Sequence, residues 1–316
     1  MKTTTNLDSS NGASVISRIG RTPLIALHHI VPDGCARILL KLETVNPTGS
    51  IKDRMALAMI EAAETDGRLK PGGHVVEYTA GSTGVSLAFV CAVKRYRLHI
   101  VTSDAFSIEK RRHMAAYGAE LTIVPSDDGK MDEALTRNMI DTAREITREK
   151  GAFCTDQLNN ADQLPAYHVL GAEVLEQTGG QLNAFVHSTG TAATVRGVAE
   201  RLHRHDPAIH CVAVEPEESA VLSGGPGGAH GIEGVGAGFI VPLWKPEAVD
   251  EISTVSTHSA MNMARRLASE EGIFCGTSTG ADIVAAIKVG QRLGPDATIV
   301  TIAGDSGMKY LSTDLY

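Results

Sequence analysis

The segment NPTGSIKDR (residues 46–54) decides how this sequence is interpreted. It follows an apolar run, residues 36–43, that predicts a β-strand, and it leads into a pattern typical of an amphipathic helix. Pro47 and Gly49 are turn-forming residues that separate the two patterns. The sequence therefore predicts a strand, a tight turn and a helix, with Lys52 in the first helical turn.

Lys52 is the residue of this segment whose side chain could react with a ligand. The positive end of the helix dipole disfavours an ammonium group, and burial would lower the pKa of the side chain in the same direction. A lysine with a lowered pKa is suited to act as an amine nucleophile that forms a Schiff base. A helix-start lysine that pairs with Asp53 is the more common arrangement, so the assignment needs support from the rest of the chain.

Short apolar runs alternate with longer helical patterns along the chain. Strands are predicted over residues 36–43, 74–79, 98–103, 120–125, 184–188, 210–215 and 298–303. Helices are predicted over residues 50–66, 83–96, 108–117, 131–149, 161–177, 194–203, 259–270 and 281–293. This alternation is typical of βαβ units, so we expect an α/β fold with doubly wound, mostly parallel sheets. The 316 residues predict one large or two ordinary domains, with a boundary near residues 150–160.

Charge and composition exclude several classes of function. The chain has 29 basic and 37 acidic residues and a net charge of −8, which argues against binding to nucleic acids or anionic membranes. Glycine is in excess, at 32 of 316 residues. We expect this excess in loops where the backbone closely approaches a ligand.

Cysteine usage and the absence of apolar segments indicate a cellular location. The five cysteines are odd in number and widely spaced, which argues against a disulfide framework or a structural zinc site. The polar N-terminus lacks the apolar region of a signal peptide. The longest apolar stretch, residues 85–93, is too short to span a bilayer. We therefore expect a cytoplasmic protein.

Several other motifs carry less weight. Residues 276–280 (GTSTG) match the G-x-S-x-G nucleophile elbow, but no histidine follows Ser278, as the α/β-hydrolase triad requires. Neither G-x-G-x-x-G nor a P-loop occurs. The histidines within residues 203–210 match no metal-site spacing, so no metal is expected. The basic run 110–112 is interpreted as a solvated helix face.

Two loops of small residues lie at predicted strand-to-helix junctions. Residues 79–84 (TAGSTG) offer backbone N–H groups and hydroxyls that suit a carboxylate. Residues 188–194 (STGTAAT) precede the next helix, whose N-terminus suits a phosphate. Either loop alone would be interpreted as an ordinary capped turn. Lys52 together with both loops indicates a pyridoxal phosphate enzyme.

The chain resembles the cysteine synthase / cystathionine β-synthase family, whose members have fold type II of the pyridoxal phosphate enzymes. The resemblance covers nearly the full length, and the order and spacing of the motifs agree. The matching motifs are IGRTPL (19–24), NPTGSIKDR (46–54), SIEKRR (107–112), YGA (117–119), GVGAGF (234–239), EGIFCGTSTG (271–280) and DSGMKYLS (305–312).

This resemblance implies two doubly wound domains with the cofactor, pyridoxal 5'-phosphate, in the cleft between them. Residues 1–157 would carry Lys52 and the substrate loop, with the first residues, up to about residue 35, crossing over to the other domain. Residues 158–316 would carry the phosphate loop and Ser278. A homodimer is also implied, with an amino-acid substrate and a small nucleophile as its small-molecule partners.

The resemblance also implies a role for each site residue. Lys52 would bind the cofactor covalently and act first as the base for the Cα proton and later as the acid. Ser278 would contact the pyridine nitrogen, and a hydroxyl at that place suits β-elimination. The other cofactor-binding residues would be Ser82, Gly190, Thr191, Ala192, Ala193 and Thr194. The substrate carboxylate would be held by Thr79, Ala80, Gly81, Thr83 and Gln157.

Two loops depart from the family pattern. The family usually has T-S-G-N-T-G at residues 79–84, so Ala80 lacks a hydroxyl and the shorter Ser82 replaces an asparagine that contacts the cofactor ring. The family's G-T-G-G-T is G-T-A-A-T here, with Ala192 and Ala193. Phosphate binding is expected to persist if φ is negative at both alanines. The identity of the substrate stays open.

The predicted function is β-replacement on an activated L-serine, such as O-acetylserine, through an aminoacrylate intermediate, with sulfide or another small nucleophile. One alternative is a variant enzyme that makes a non-standard β-substituted alanine, and another is a serine/threonine β-eliminase. A catalytically idle homologue that acts as a regulatory binding protein is disfavoured, because Lys52, Ser278 and Gln157 are retained. The sequence does not identify the nucleophile.

Overall fold

The fold consists of two mostly parallel β-sheets flanked by helices. The computed structural model describes residues 13–127, 129 and 133–316. Its strands are β1 (Leu24–Ala26), β2 (Arg37–Leu42), β3 (His74–Tyr78), β4 (Arg97–Ser103), β5 (Glu120–Val124), β6 (Phe153–Cys154), β7 (Ala184–Ser188), β8 (His210–Pro216), β9 (Glu251–Val255) and β10 (Thr298–Ala303). Its α-helices are α1 (Lys52–Asp66), α2 (Ser82–Lys94), α3 (Ile108–Ala116), α4 (Glu133–Lys150), α5 (Leu164–Thr178), α6 (Ala193–His203), α7 (Thr257–Glu271) and α8 (Thr277–Leu293).

The described strands pair into one sheet of six strands and one of four. The six-stranded sheet has the order β1-β2-β10-β7-β8-β9, and β1 runs antiparallel to β2. The four-stranded sheet has the order β5-β4-β3-β6 and is parallel. The predicted α/β class with mostly parallel sheets is confirmed. Since β2 pairs with β10, the first two strands join the sheet of the C-terminal half. The division into domains 1–157 and 158–316 stays a prediction.

The secondary structure agrees closely with the sequence pattern. All seven predicted strands are present, with ends within one residue of those expected. The pattern misses β1 and β6 because they have only three and two residues, and β9 because it is short and half-buried. Helix α8 begins at Thr277, before the predicted residue 281, because its first turn (TSTG) consists of weak helix formers. The predicted start of α4 at Met131 lies outside the described residues.

The strand ends define where a ligand can bind. Residues 79–81, 190–192 and 304–305 follow the carboxyl ends of β3, β7 and β10 and line one cavity between the sheets. Strand β7 is buried along its whole length, which anchors its loop in the core. Among the described residues, no helix has the length and apolar character needed to cross a membrane.

A buried ion cluster holds the start of α1 against β2 and α5. Arg54 donates two hydrogen bonds to Glu43, at 2.7 and 2.9 Å, and two to Glu173, at 2.8 and 2.7 Å. Lys41 also pairs with Glu173, at 2.8 Å. Arg54, Glu43 and Lys41 are all buried. Because Arg54 lies two residues after Lys52, the cluster fixes the helical turn that carries this lysine.

We predict that Glu173→Gln destabilises the protein and makes its free energy of unfolding depend less on pH in the acidic range. Burial raises the pKa of Glu173, but hydrogen bonds and charge from Arg54 and Lys41 outweigh burial and lower the pKa to about 2. The carboxylate therefore stabilises the fold above its unfolded pKa of about 4.5, and that contribution is lost as the pH falls towards 2. Removing one partner of a buried pair costs about 3–5 kcal/mol. Urea unfolding across this pH range measures both effects.

Glu270→Gln is the matched control for this prediction. Glu270 is exposed and pairs with Arg266 across one turn of α7. Its replacement should leave the free energy of unfolding close to that of the wild type, because exposed ion pairs contribute little to stability. Equal losses in the two variants would show that the buried cluster has no special structural role.

Candidate active site

The cavity between the two sheets brings together the residues singled out in the sequence. Its walls include the start of α1, the loops after β3 and β7, and the first turn of α8. Ligands of open parallel sheets bind at this carboxyl edge of the strands. Thr79, Ala80, Gly81, Thr83 and Gln157 all line the cavity, as do Lys52, Ser82, Gly190, Thr191, Ala192, Thr194 and Ser278. Their individual roles stay predictions.

Lys52 presents an unpaired amine to the cavity. Within the described part of the chain, its Nζ makes no hydrogen bond or ion pair, although the side chain lines the cavity wall. Burial lowers the pKa of Lys52, and the carboxylates of Asp305 and Asp282 act in the opposite direction. The pairing with Asp53 is not formed, because this carboxylate accepts hydrogen bonds from Thr48, at 2.8 and 2.5 Å.

Hydrogen bonds around Gln157 hold the loop after β3. The Thr83 hydroxyl donates to Gln157 Oε1 at 2.8 Å, and Gln157 Nε2 donates to the Tyr78 carbonyl at 2.8 Å. Gly81 has a φ of +136°, and a Cβ there would collide with the side chain of Lys110. The loop leads directly into α2, whose first N–H groups lack helical acceptors. This arrangement suits a carboxylate ligand.

Ser82 connects this loop to the segment after β10. Its hydroxyl donates to Asp305 Oδ2 at 3.0 Å, and the Tyr310 hydroxyl donates to the same oxygen at 2.7 Å. The other carboxylate oxygen of Asp305 is buried and has no hydrogen-bond partner among the described residues. The contact of Ser82 with a cofactor ring stays a prediction, and in this structure its proton is donated to Asp305.

The loop between β7 and α6 corrects one expectation from the sequence. Ala192 has a φ of +67°, so the assumption of negative φ at both alanines is wrong at this position. The reason is that Ala192 caps α6 and turns the loop into the helix in a left-handed conformation. Ala193 begins the helix, is buried and does not line the cavity. Gly190 packs so closely on the Gly234 carbonyl that a Cβ would collide with it.

Two further helices begin at the cavity. Helix α6 begins at Ala193, and Thr191 and Thr194 lie on the cavity wall. Helix α8 begins at Thr277, with Ser278 on the wall. The free N–H groups and the dipole of a helix N-terminus favour an anion such as phosphate. The Ser278 hydroxyl makes no hydrogen bond with any residue that the structure describes, so it is available to a ligand.

Lys110 and Glu233 also line the cavity, and neither is predicted from the sequence to do so. Lys110 Nζ donates to Glu233 Oε2 at 2.5 Å and lies 4.2 Å from the centre of the Tyr310 ring. Lys110 is only 2% exposed, so the interpretation of the basic run as a solvated face is wrong for this residue. Its spacing of four residues from Met114, which is also buried, is the signal that places Lys110 on the inner face of α3.

Comparisons with known proteins agree with this geometry. The family model described as "Pyridoxal-phosphate dependent enzyme" matches residues 15–305. A cysteine synthase of Staphylococcus aureus is 44% identical over 301 residues, which cover 94% of this chain and 95% of that protein.

Solved structures show the same fold. The crystal structure of O-ureido-L-serine synthase superimposes with a TM-score of 0.91 at 33% identity, covering 96% of this chain and 95% of that chain. The cysteine synthase of Entamoeba histolytica has a TM-score of 0.89 at 39% identity, covering 100% of this chain and 94% of that chain.

We predict that Ala192→Gly stabilises the protein. A left-handed conformation costs a non-glycine residue roughly 1–2 kcal/mol, and glycine removes this strain while adding chain entropy to the unfolded state. The net gain should be about 0.5–1 kcal/mol. Thermal unfolding of the two proteins measures this gain.

Ala193→Gly provides the control next to it. Ala193 lies in α6 with ordinary helical geometry, so glycine there should destabilise by about 0.5–1 kcal/mol. If both glycine variants lose stability, the strain assigned to Ala192 is not real.

Proposed function

The chain belongs to the pyridoxal-phosphate dependent enzyme family, and from this premise we propose that it catalyses β-replacement on an activated L-serine such as O-acetylserine. The supporting observation is the unpaired amine of Lys52, which shares one cavity with a carboxylate-type loop and the N-termini of α6 and α8. Its cysteine synthase relative, 44% identical, supports the same class of reaction.

The residues of the cavity fit pyridoxal phosphate. Lys52 would hold the aldehyde carbon, the N-terminus of α6 would hold the phosphate, and Ser278 would contact the ring nitrogen. The Lys52 amine and the Ser278 hydroxyl lack hydrogen-bond partners among the described residues, which leaves both groups available to the cofactor. When bound, the cofactor withdraws electrons from the substrate Cα and so makes the Cα proton more acidic.

Lys52 would then move the proton at the substrate Cα. A general base must be unprotonated when it acts, and the lowered pKa of Lys52 favours its neutral amine. The position of Lys52 at the first residue of α1 favours the neutral amine as well, because the helix dipole disfavours an ammonium there. The same amine would return a proton to Cα at the end of the reaction.

Substrate binding would use the loop after β3. Thr79, Ala80, Gly81, Thr83 and Gln157 would hold the α-carboxylate through backbone N–H groups and through the hydroxyl and amide that the loop already positions. The ion pair of Lys110 with Glu233 would close the wall beside this loop and limit the entry of water. Exclusion of water favours transfer to the nucleophile over hydrolysis.

The second candidate is a variant enzyme that makes another β-substituted alanine. Ala80 offers no hydroxyl to the substrate, and the Ser82 proton is donated to Asp305. Both features differ from the usual loop of the family, and one structural relative is an O-ureido-L-serine synthase. Sulfide remains our first choice of nucleophile, since the cysteine synthase relative matches over nearly the full length. A serine/threonine β-eliminase is a third candidate.

The assembly and location are proposals as well. Met308, Leu311 and Tyr316 expose apolar surface near the C-terminus, which suits the contact of a homodimer. All five cysteines are free thiols, which suits the reducing cytoplasm. The two domains would have different roles: residues 1–157 would present Lys52, and residues 158–316 would bind the phosphate.

Lys52→Ala should abolish turnover and the visible absorption band of the bound cofactor. We expect the rate with O-acetylserine and sulfide to fall by at least about a thousandfold, because the base and the covalent attachment are both lost. Lys94→Ala is the control, since Lys94 pairs with Glu64 on the outside of α2. An unchanged spectrum in Lys52→Ala would refute the proposed role of Lys52.

Ser82→Asn and Ala80→Ser should shift the enzyme towards cysteine formation from sulfide. Each restores a polar group that the family usually has at this place. The value of kcat/KM with sulfide, divided by that with another nucleophile, should therefore rise by about tenfold. Ser82→Ala is the control, because it removes the hydrogen bond to Asp305 without adding an amide. It shows how much of the effect of Ser82→Asn comes from losing that bond. Products formed from a panel of nucleophiles, identified by mass spectrometry, provide the measurement. No change in any variant would mean that this loop does not set specificity.

A further inference from the structure

Three side chains of types that can bind metal ions meet at the edge of the four-stranded sheet that faces away from the active-site cavity. His74 begins β3, His99 lies near the start of β4, and Glu120 begins β5. These strands are neighbours, and one ligand atom from each residue lies within 4.8 Å of the others. Since the cavity lies at the carboxyl ends of the parallel strands, this group lies at the opposite, amino ends.

His99 is oriented as a metal ligand would be. Its Nε2 lies 2.8 Å from Thr122 Oγ1, and its Nδ1 lies 2.9 Å from Lys150 Nζ. An ammonium group can only donate, so Nδ1 is the acceptor and the ring proton is on Nε2. A hydrogen bond on the other ring nitrogen is what fixes the tautomer of metal-ligating histidines. The Nδ1 lone pair therefore accepts the Lys150 proton, and Nδ1 is the ring atom that could bind a metal ion in place of that proton.

The separation of two of the three ligand atoms fits a small transition-metal ion. Zinc binds histidine nitrogen and carboxylate oxygen at about 2.0–2.2 Å, so two tetrahedral ligand atoms lie about 3.3 Å apart. His99 Nδ1 and Glu120 Oε2 are separated by 3.3 Å.

A cation already occupies this place. The Lys150 ammonium lies 2.5 Å from Glu120 Oε2 and 2.9 Å from His99 Nδ1. Lys150 is the last residue of α4, and Glu120 is 60% exposed, so the ion pair is weak and the long side chain can turn into solvent. Two imidazoles and a carboxylate suit a divalent ion of borderline softness better than an ammonium.

We propose that His74, His99 and Glu120 form a zinc-type metal site, in which the ion replaces the ammonium of Lys150. Three protein ligands leave the fourth position to water. The ion would tie together the starts of β3, β4 and β5 and so stabilise the four-stranded sheet. It would not contact the active-site cavity, so the site is independent of the proposed reaction.

Metal binding to the holoenzyme tests the proposal. Equilibrium dialysis with Zn²⁺ should give one ion per chain, and Co²⁺ should give visible d–d absorption of a low-coordinate site. His74→Ala and Glu120→Gln should each weaken binding by at least about tenfold, because each removes one of three ligands. Lys150→Met should strengthen binding by about tenfold, because it removes the competing ammonium. Zn²⁺ should also raise the unfolding temperature of the wild type.

Controls separate this site from nonspecific binding by histidine. His168→Ala removes another histidine that is paired with a carboxylate, Glu200 at 2.9 Å, and should leave zinc affinity unchanged. His203→Ala tests the other group of ligand-type residues, with Cys211 and Asp250. Zinc affinity that is lost in His203→Ala or His168→Ala, or unaffected by His74→Ala, would overturn the proposal. So would failure to bind one ion per chain. Turnover with O-acetylserine should be the same in all these variants as in the wild type.

Discussion

The four hydrogen bonds of the buried Arg54 guanidinium are the constraint on which the active-site geometry depends. They join Glu43, just after β2, to Glu173 on α5 through a residue of the first turn of α1. A buried guanidinium needs both carboxylates, because any unpaired charge at this depth would be strongly unfavourable. The turn between Glu43 and Arg54 therefore has little freedom, and Lys52 lies within it.

The rest of the site extends this arrangement to both sheets. Strand ends bring backbone loops and helix N-termini to one cavity, and small residues allow these loops to lie close together, as Gly190 does against Gly234. Two polar contacts then connect the sheets across the cavity. Ser82 bonds to Asp305, and Lys110 pairs with Glu233. Charged and hydrogen-bonded side chains thus bridge the two sides of the cavity.

Local pattern was sufficient to predict the regular elements but not the long-range partners. The buried strands and the loops that follow them were predictable, because apolar runs and small-residue turns are local signals. The hydrogen bond from Ser82 to Asp305 joins residues 223 positions apart, so no local sequence pattern predicts it. Lys110 was misinterpreted because a basic run is usually solvated, and only its spacing from Met114 indicates a buried face. A positive φ at Ala192 contradicts the preference of alanine, so it had to be observed.

The glycines of the active-site loops and the two departures from the family pattern have different physical consequences. Gly81 and Gly190 are required, because a Cβ at either position would collide with a neighbour. Ala192 occupies a conformation that favours glycine, so its effect is backbone strain in the loop assigned to phosphate. Ser82 changes a side-chain hydrogen bond in the loop assigned to the substrate. The two departures therefore act by different means, one on the backbone and one on a side chain, at loops of different sheets that line the same cavity.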